Sequence, residues 1–373
     1  MKLRLLLSMV LLLSVSAFAE IKLGAILAVT GPASFLGMPE KNTLEMLVDE
    51  VNAKGGINGE KIELIVYDTK GSDTEARKKF LRLIQKDGVI GVIGPTTTGE
   101  SLAIKDLATE KQIPLFSCAA SRRIVVPISK YVFKSPQSDD HAVESIFEYL
   151  VSKGKKNVAI MTVQNGFGAA GRDALLETAE RYSINILADE KFGDSDKDMT
   201  SQLTKIRDKN PDAVIVWGVG PAPALIAKNF KQLGLKSTLV MSHGVASKKF
   251  IELAGDAAEG IILPAGRLLV AEKLKEDDKF RGFLLDYKTR YEKKFNEPVS
   301  TFGGHAYDSF MMFLKGVTAA GKDRAKIVES VEKVKKMVGT AGEFNLSEED
   351  HNGLTKDAFV ILQIKNGGWE FAE

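Results

Sequence analysis

Residues 21–29 read IKLGAILAV and residues 61–67 read KIELIVY, two β-branched apolar runs of strand length. Between them, apolar residues recur at helical spacing through Leu44, Leu47, Val48 and Val51, and AKGGING (53–59) ends that helix with glycines. Strand, helix and strand in so short a space predict a parallel pair joined by a helical crossover. The unit repeats. A helix through Ala76, Phe80, Leu83 and Ile84 leads to a strand at 89–93, and a helix after Gly99 leads to a strand at 114–117. Such a sheet is mostly parallel and covered by helices on both faces.

KSPQSDD (134–140) is polar and carries a proline, so it reads as a crossing segment. Beyond it the rhythm restarts, with strands expected at 158–163, 184–192, 213–217, 238–241 and 260–263 and a helix over 225–233 stopped by Gly234. From Pro264 the chain turns to long charged helical stretches around 280–295 and 325–337, and the last strand-like run is 358–365. A chain of 373 residues exceeds what one hydrophobic core serves, so a second α/β lobe is expected.

The first residues bear on the compartment. Lys2 and Arg4 precede a short greasy run, and Ala17-Phe18-Ala19 supplies a small-x-small cleavage pattern. A signal peptide over 1–19, cut after Ala19, and a soluble periplasmic product are the expectation. Lys and Arg number 51 against 49 Asp and Glu, and the leader holds two of the basic residues. The balanced remainder has no field to draw nucleic acid, so none is expected as a partner. Cys118 is the sole cysteine, and the four histidines show no metal-binding spacing, so neither a disulfide nor a metal nor any other cofactor is expected.

GPTTTGES (94–101) imitates a phosphate loop, with Glu100 where the lysine of G-x-x-x-x-G-K-[ST] belongs. A carboxylate there opposes triphosphate binding. Two readings remain: a plain strand-helix turn with Thr98 as N-cap, or a loop that binds a carboxylate through threonine hydroxyls and helix-end N–H groups. In the second, Glu100 in the first helical turn suits the helix dipole. The next strand end, PLFSCAASRR (114–123), places Ala119, Ala120 and Ser121 beside Thr97 and Thr98, and ligands gather at such carboxyl ends. Cys118 reads as a packing residue there. His243, in VMSHGVAS, follows a second-lobe strand where a residue can face the cleft, and Trp217 ends another.

IKLGAILAVTGPASFLG, DEVNAKGGINGEKIELIVYD, VIGPTTTGES, IPLFSCAAS, VQNGFGAAGRDAL, DKDMTSQLTKIRDKNPDAVIVWG and AGDAAEGIIL together resemble the leucine/isoleucine/valine-binding family of periplasmic substrate-binding proteins. The resemblance implies two Rossmann-like α/β lobes with parallel-rich central sheets, joined by three crossover segments. Lobe one takes 20–139 and 264–355; lobe two takes 140–263 and 356–373. It implies that Thr98 and Ser121 hold a ligand carboxylate, that Ala119 offers a carbonyl, that Leu36 and Phe302 shape the pocket, and that Phe167 replaces a tyrosine of relatives. Two departures stand out: His243 takes the place of a glutamate that grips an α-ammonium, and VWGVGPAPA has Val219 and Gly220 where relatives carry a tyrosine. A histidine there can donate instead to a second carboxylate or to a phenolic or carbonyl oxygen.

The expected function is that of an extracytoplasmic receptor of an ABC importer, not an enzyme. It would bind a small hydrophobic amino acid or a related organic carboxylate by hinge closure, and would pass it as a monomer to a permease pair in the inner membrane. The alternatives are a ligand-sensing subunit and a cleft enzyme with His243 as base.

Overall fold

The computed structural model describes residues 20–373; the leader and its cut after Ala19 lie outside the described residues. The first half runs β1 (Ile21–Leu27), α1 (Ser34–Ala53), β2 (Ile62–Asp68), α2 (Asp73–Arg82), β3 (Gly91–Ile93), α3 (Thr98–Glu110), β4 (Leu115–Ser117) and β5 (Val132–Lys134). Its sheet has the order β2-β1-β3-β4-β5, with every pair parallel. Strand order reverses between β1 and β3, which opens a crevice above their carboxyl ends. β5 overturns part of the crossing-segment reading: Lys134 belongs to a strand too short to show periodicity. Lys134 is fully buried, and its Nζ donates to the Pro136 carbonyl at 2.8 Å.

The second half runs α4 (Asp139–Ser152), β6 (Asn157–Val163), α5 (Gly166–Ala179), β7 (Asn185–Phe192), α6 (Thr200–Asp208), β8 (Ala213–Trp217), α7 (Ala222–Gln232), β9 (Thr238–Met241), α8 (Lys248–Ala254) and β10 (Ile262–Ala265). The chain then returns to the first half with α9 (Arg281–Phe295), α10 (Thr301–Ala320), α11 (Arg324–Glu332) and the small ribbon of β11 (Met337–Val338) and β12 (Glu343–Phe344). Finally β13 (Val360–Lys365) and β14 (Gly368–Phe371) add to the second sheet, whose order is β14-β13-β10-β9-β8-β6-β7. Only the pairings of β13 are antiparallel there.

α10 is the helix that sequence patterning does not announce. Every residue from Thr301 to Phe310 is buried, so the first half of the helix has no polar stripe to set against an apolar one. Apolar clusters fill both faces of the first sheet and surround the second. α1 lies hard against the end of β1: a Cβ on Gly37 would sit 2.2 Å from the Ala28 carbonyl oxygen. That contact sets the helix beside the crevice.

Where the chain passes between the halves, the passages are stitched together. Gln137 Nε2 donates to the carbonyls of Ala341 (3.1 Å) and Ala358 (3.2 Å). Asn352 Nδ2 donates to the carbonyls of Lys134 (3.2 Å) and Pro136 (2.9 Å), and the Lys134 amide donates to the His351 carbonyl at 3.1 Å. Buried backbone carbonyls in irregular chain need such partners.

Candidate functional site

A cavity of about 560 Å³ lies between the two sheets. Its walls are the segments that follow β1 to β5 on one side and β6 to β9 on the other, with α10 at the back. Leu36, Thr97, Thr98, Ala119, Ala120, Phe167, Gly220, His243 and Phe302 all line it. Ser121 does not. It is buried, and its Oγ accepts from the Arg123 amide at 3.3 Å, closing a short turn rather than facing the cavity.

The loop from β3 to α3 folds because Gly94 turns with φ +93°, where a Cβ would meet the Ile26 carbonyl oxygen at 2.3 Å. Thr97, not Thr98, is the N-cap. Its Oγ1 accepts from the Glu100 amide at 3.4 Å, while Glu100 Oε2 accepts from the Thr97 amide (3.1 Å) and hydroxyl (2.7 Å). This capping box answers the question Glu100 raises: the side chain is a buried member of the cap, and burial pushes its pKa up against the pull of the Thr97 bonds. Thr97 is thereby engaged. Thr98 Oγ1 is buried with no partner, beside the free first-turn amides of α3.

On the opposite wall, Asn165 Oδ1 accepts from the amides of Phe167 and Gly168, both at 3.0 Å, capping α5 and fixing Phe167 over the cavity. Phe167 packs on Trp217 with ring centroids 5.7 Å apart. Trp217 is wholly buried and stands behind this wall, outside the lining. Cys118 lines the cavity floor, and burial pushes its thiol well up, as suits a packing residue.

His243 is held by the rings of Phe167, Trp217 and Phe359, 5.5 to 5.6 Å away, and its Nε2 lies 3.4 Å from Asp139 Oδ1. Burial, and then the nearby Lys134, pull its pKa down to about 3. His305 of α10 also lines the cavity; burial, then His243 and Lys134, pull it to about 3 as well. Both rings are neutral at neutral pH, each able to donate one hydrogen bond and accept another. Neither supplies a counter-charge to a ligand ion.

A proton that these rings refuse when folded is accepted when the chain unfolds. Each histidine therefore lends stability above the ordinary value near 6.5 and loses it as pH falls toward 3. The expected loss is about 1.4 kcal/mol per pH unit per ring across that window. Chemical denaturation of wild type and of His243→Gln/His305→Gln checks this: the double variant should show the shallower acid slope.

The charged residues in the lining, Lys70, Asp73 and Asp194, are exposed. The two walls meet at glycine, where a Cβ on Gly166 would lie 2.9 Å from both Cα and N of Gly99. Ion pairs also join the turn after β4 to α4 and α5, Arg122 with Glu177 (2.8 Å) and Asp140 (3.2 Å), and Arg123 with Asp173. Thr96, Gln164, Asn165 and His305 also line the cavity. Sequence reasoning passed over them. Asn165 carries a local signal, an asparagine cap two and three residues before the amides it accepts from, whereas Thr96 bonds a glutamate 56 residues away. No local spacing could have shown that.

Residues 20–368 match the family described as periplasmic binding protein. The chain is 27% identical over 356 residues to a Leu/Ile/Val-binding protein of Rhizobium johnstonii, covering 94% of this chain and 93% of that one. It is similar in structure to an extracellular ligand-binding receptor from Rhodopseudomonas palustris, with TM-score 0.89, 28% identity, and coverage of 95% of this chain and 100% of the other. It is similar also to the branched-chain amino acid transporter substrate-binding protein of Streptococcus pneumoniae solved with isoleucine, with TM-score 0.84, 26% identity, and coverage of 95% and 99%.

Proposed function

This chain belongs to the periplasmic binding protein family, and from that membership we propose an importer receptor for a small organic carboxylate with an apolar body and no α-ammonium group. The observation that carries the ligand class is the state of His243. An ammonium needs a buried counter-charge, and the ring at the place expected for one is neutral and enclosed by aromatics. The other end suits an anion: Thr98 Oγ1 lacks a partner, and the start of α3 offers amides and a partial positive charge. Leu36, Phe167, Val219 and Phe302 supply the apolar walls.

The receptor works by closure and breaks no bond. The lobes are 20–139 with 264–355 and 140–263 with 356–373. The carboxylate docks first on the α3 side through Thr98; Phe167 and His243 then cover the apolar body from the α5 side. The ligand favours the closed form because only there does it touch both walls. A monomeric closed receptor delivers the ligand to a permease pair in the inner membrane. A histidine with a pKa near 3 is a poor base at neutral pH, which disfavours the cleft-enzyme alternative.

A thermal-shift screen tests the ligand class. Isocaproate and benzoate should raise the melting temperature, and leucine and isoleucine should not. Tight leucine binding with no response to isocaproate would mean that this chain keeps an amino-acid site. For Thr98, calorimetry on Thr98→Val should show affinity weaker by about 1–3 kcal/mol, the value of a charge-assisted hydrogen bond. Wild-type affinity would remove Thr98 from the site.

A further inference from the structure

Glu40 lies on α1, one turn after the cavity-lining Leu36, and is wholly buried. Its Oε2 is 2.5 Å from Thr96 Oγ1 in a hydrogen bond, and its Oε1 has no partner. The titratable side chains that act on it are themselves acidic: Glu100 from α3 and the Cys118 thiol after β4. An ionised carboxylate with one hydrogen bond and a second acid nearby is costly to bury. Burial accordingly pushes the Glu40 pKa well above the ordinary range, Thr96 opposing and Glu100 adding to the rise. Full burial with a single hydrogen bond, to the Thr96 hydroxyl, favours the neutral acid, which has one O–H to give.

The valences of Thr96 decide where that proton goes. Its Oγ1 has two acceptor sites and one proton. The Ala28 amide occupies one acceptor site at 3.0 Å. Beside an ionised Glu40, the Thr96 proton would have to point at the carboxylate, leaving nothing for a ligand. Beside a neutral Glu40, the acid O–H fills the second acceptor site, and the Thr96 proton is released toward the cavity that Thr96 lines.

We infer that Glu40 is a positioning residue, a buried acid that donates to Thr96 and turns the Thr96 hydroxyl proton toward the ligand carboxylate. The inference rests on the carboxylate reading above and extends it from Thr98 to a second hydroxyl. The three threonines of the loop then have separate duties. Thr97 is tied to Glu100 in the helix cap, Thr96 is oriented by Glu40, and Thr98 is unengaged until ligand arrives.

Infrared difference spectra between wild type and Glu40→Gln, near neutral pH and without ligand, test the first half. A carboxylic-acid C=O band that vanishes in the variant is expected; a carboxylate band in its place overturns the inference, whatever the ligand. Calorimetry with isocaproate tests the second half. Glu40→Gln keeps an N–H to give Thr96 and should bind within about threefold of wild type, whereas Glu40→Met should bind about tenfold or more weakly. A Gln variant as weak as Met, or a Met variant as tight as wild type, overturns it. The infrared arm needs no Met variant, so a misfolded Glu40→Met does not decide the outcome. Should leucine bind and isocaproate not, the ligand class proposed above fails. The same three proteins are then compared with leucine, whose carboxylate makes the same demand on Thr96.

Discussion

Gly166→Leu is expected to lower ligand affinity at least about a hundredfold while leaving the unliganded protein folded and about as heat-stable as wild type. The walls of the cavity meet backbone to backbone at Gly99 and Gly166, with a Cβ on Gly166 placed 2.9 Å from two Gly99 atoms. Those are main-chain atoms at a helix start, and they cannot turn aside as a flexible side chain would. A leucine holds the halves apart, so the ligand reaches only one wall. Disfavouring the closed form by about 3 kcal/mol already accounts for a hundredfold loss. The pairs of Arg122 and Arg123 cannot restore it, because exposed ion pairs of this kind contribute about 1 kcal/mol or less each. Leucine is also a better helix former than glycine, so α5 itself is not endangered. Calorimetry with the best ligand from the screen, and thermal melts without it, separate the two effects. Near-normal affinity would show that these surfaces need not touch when ligand is held.

Gly37→Ala is expected to cost about 3 kcal/mol or more of stability, a large effect for one methyl group. The added carbon would fall 2.2 Å from the Ala28 oxygen and 2.4 Å from its carbonyl carbon, so α1 must lift away from β1. Because α1 also holds Leu36 and Glu40, affinity should fall along with the melting temperature. Gly282→Ala is the control: it sits early in α9 with nothing within 4 Å of the new carbon. That change should be neutral or slightly stabilising. Equal melting temperatures for Gly37→Ala and wild type would show that the helix is not pinned where it lies.

The repeating architecture was legible because buried parallel strands are short apolar runs, and their limits show wherever polar residues flank them. Residues 213–217 and 238–241 are strands to the residue. What escaped had a physical reason in each case. β5 has three residues and ends on a lysine; the start of α10 is buried on every side and shows no stripe; β14 follows a tight turn after a strand already recognised. For the site, the small hydroxyl-rich strand ends pointed to the cavity, and nine of the ten candidate residues line it. Ser121 belongs to the same run as Ala119 and Ala120, but it is spent on a local turn that sequence cannot tell from a ligand contact. Glu100 looked like a missing lysine and is a cap. Glu40 and His305 were invisible because burial by distant elements, not spacing, gives each its chemistry.

The stitching of the passages between the halves has a consequence for time as well as shape. Gln137 holds carbonyls of two distant segments, and Asn352 reaches back to two carbonyls of the Gln137 segment, so these segments are tied to one another. Amide exchange through 134–138 and 352–358 should therefore proceed at one common rate, as a single cooperative opening. The connection is several ropes bound into one cable, and it loosens as one.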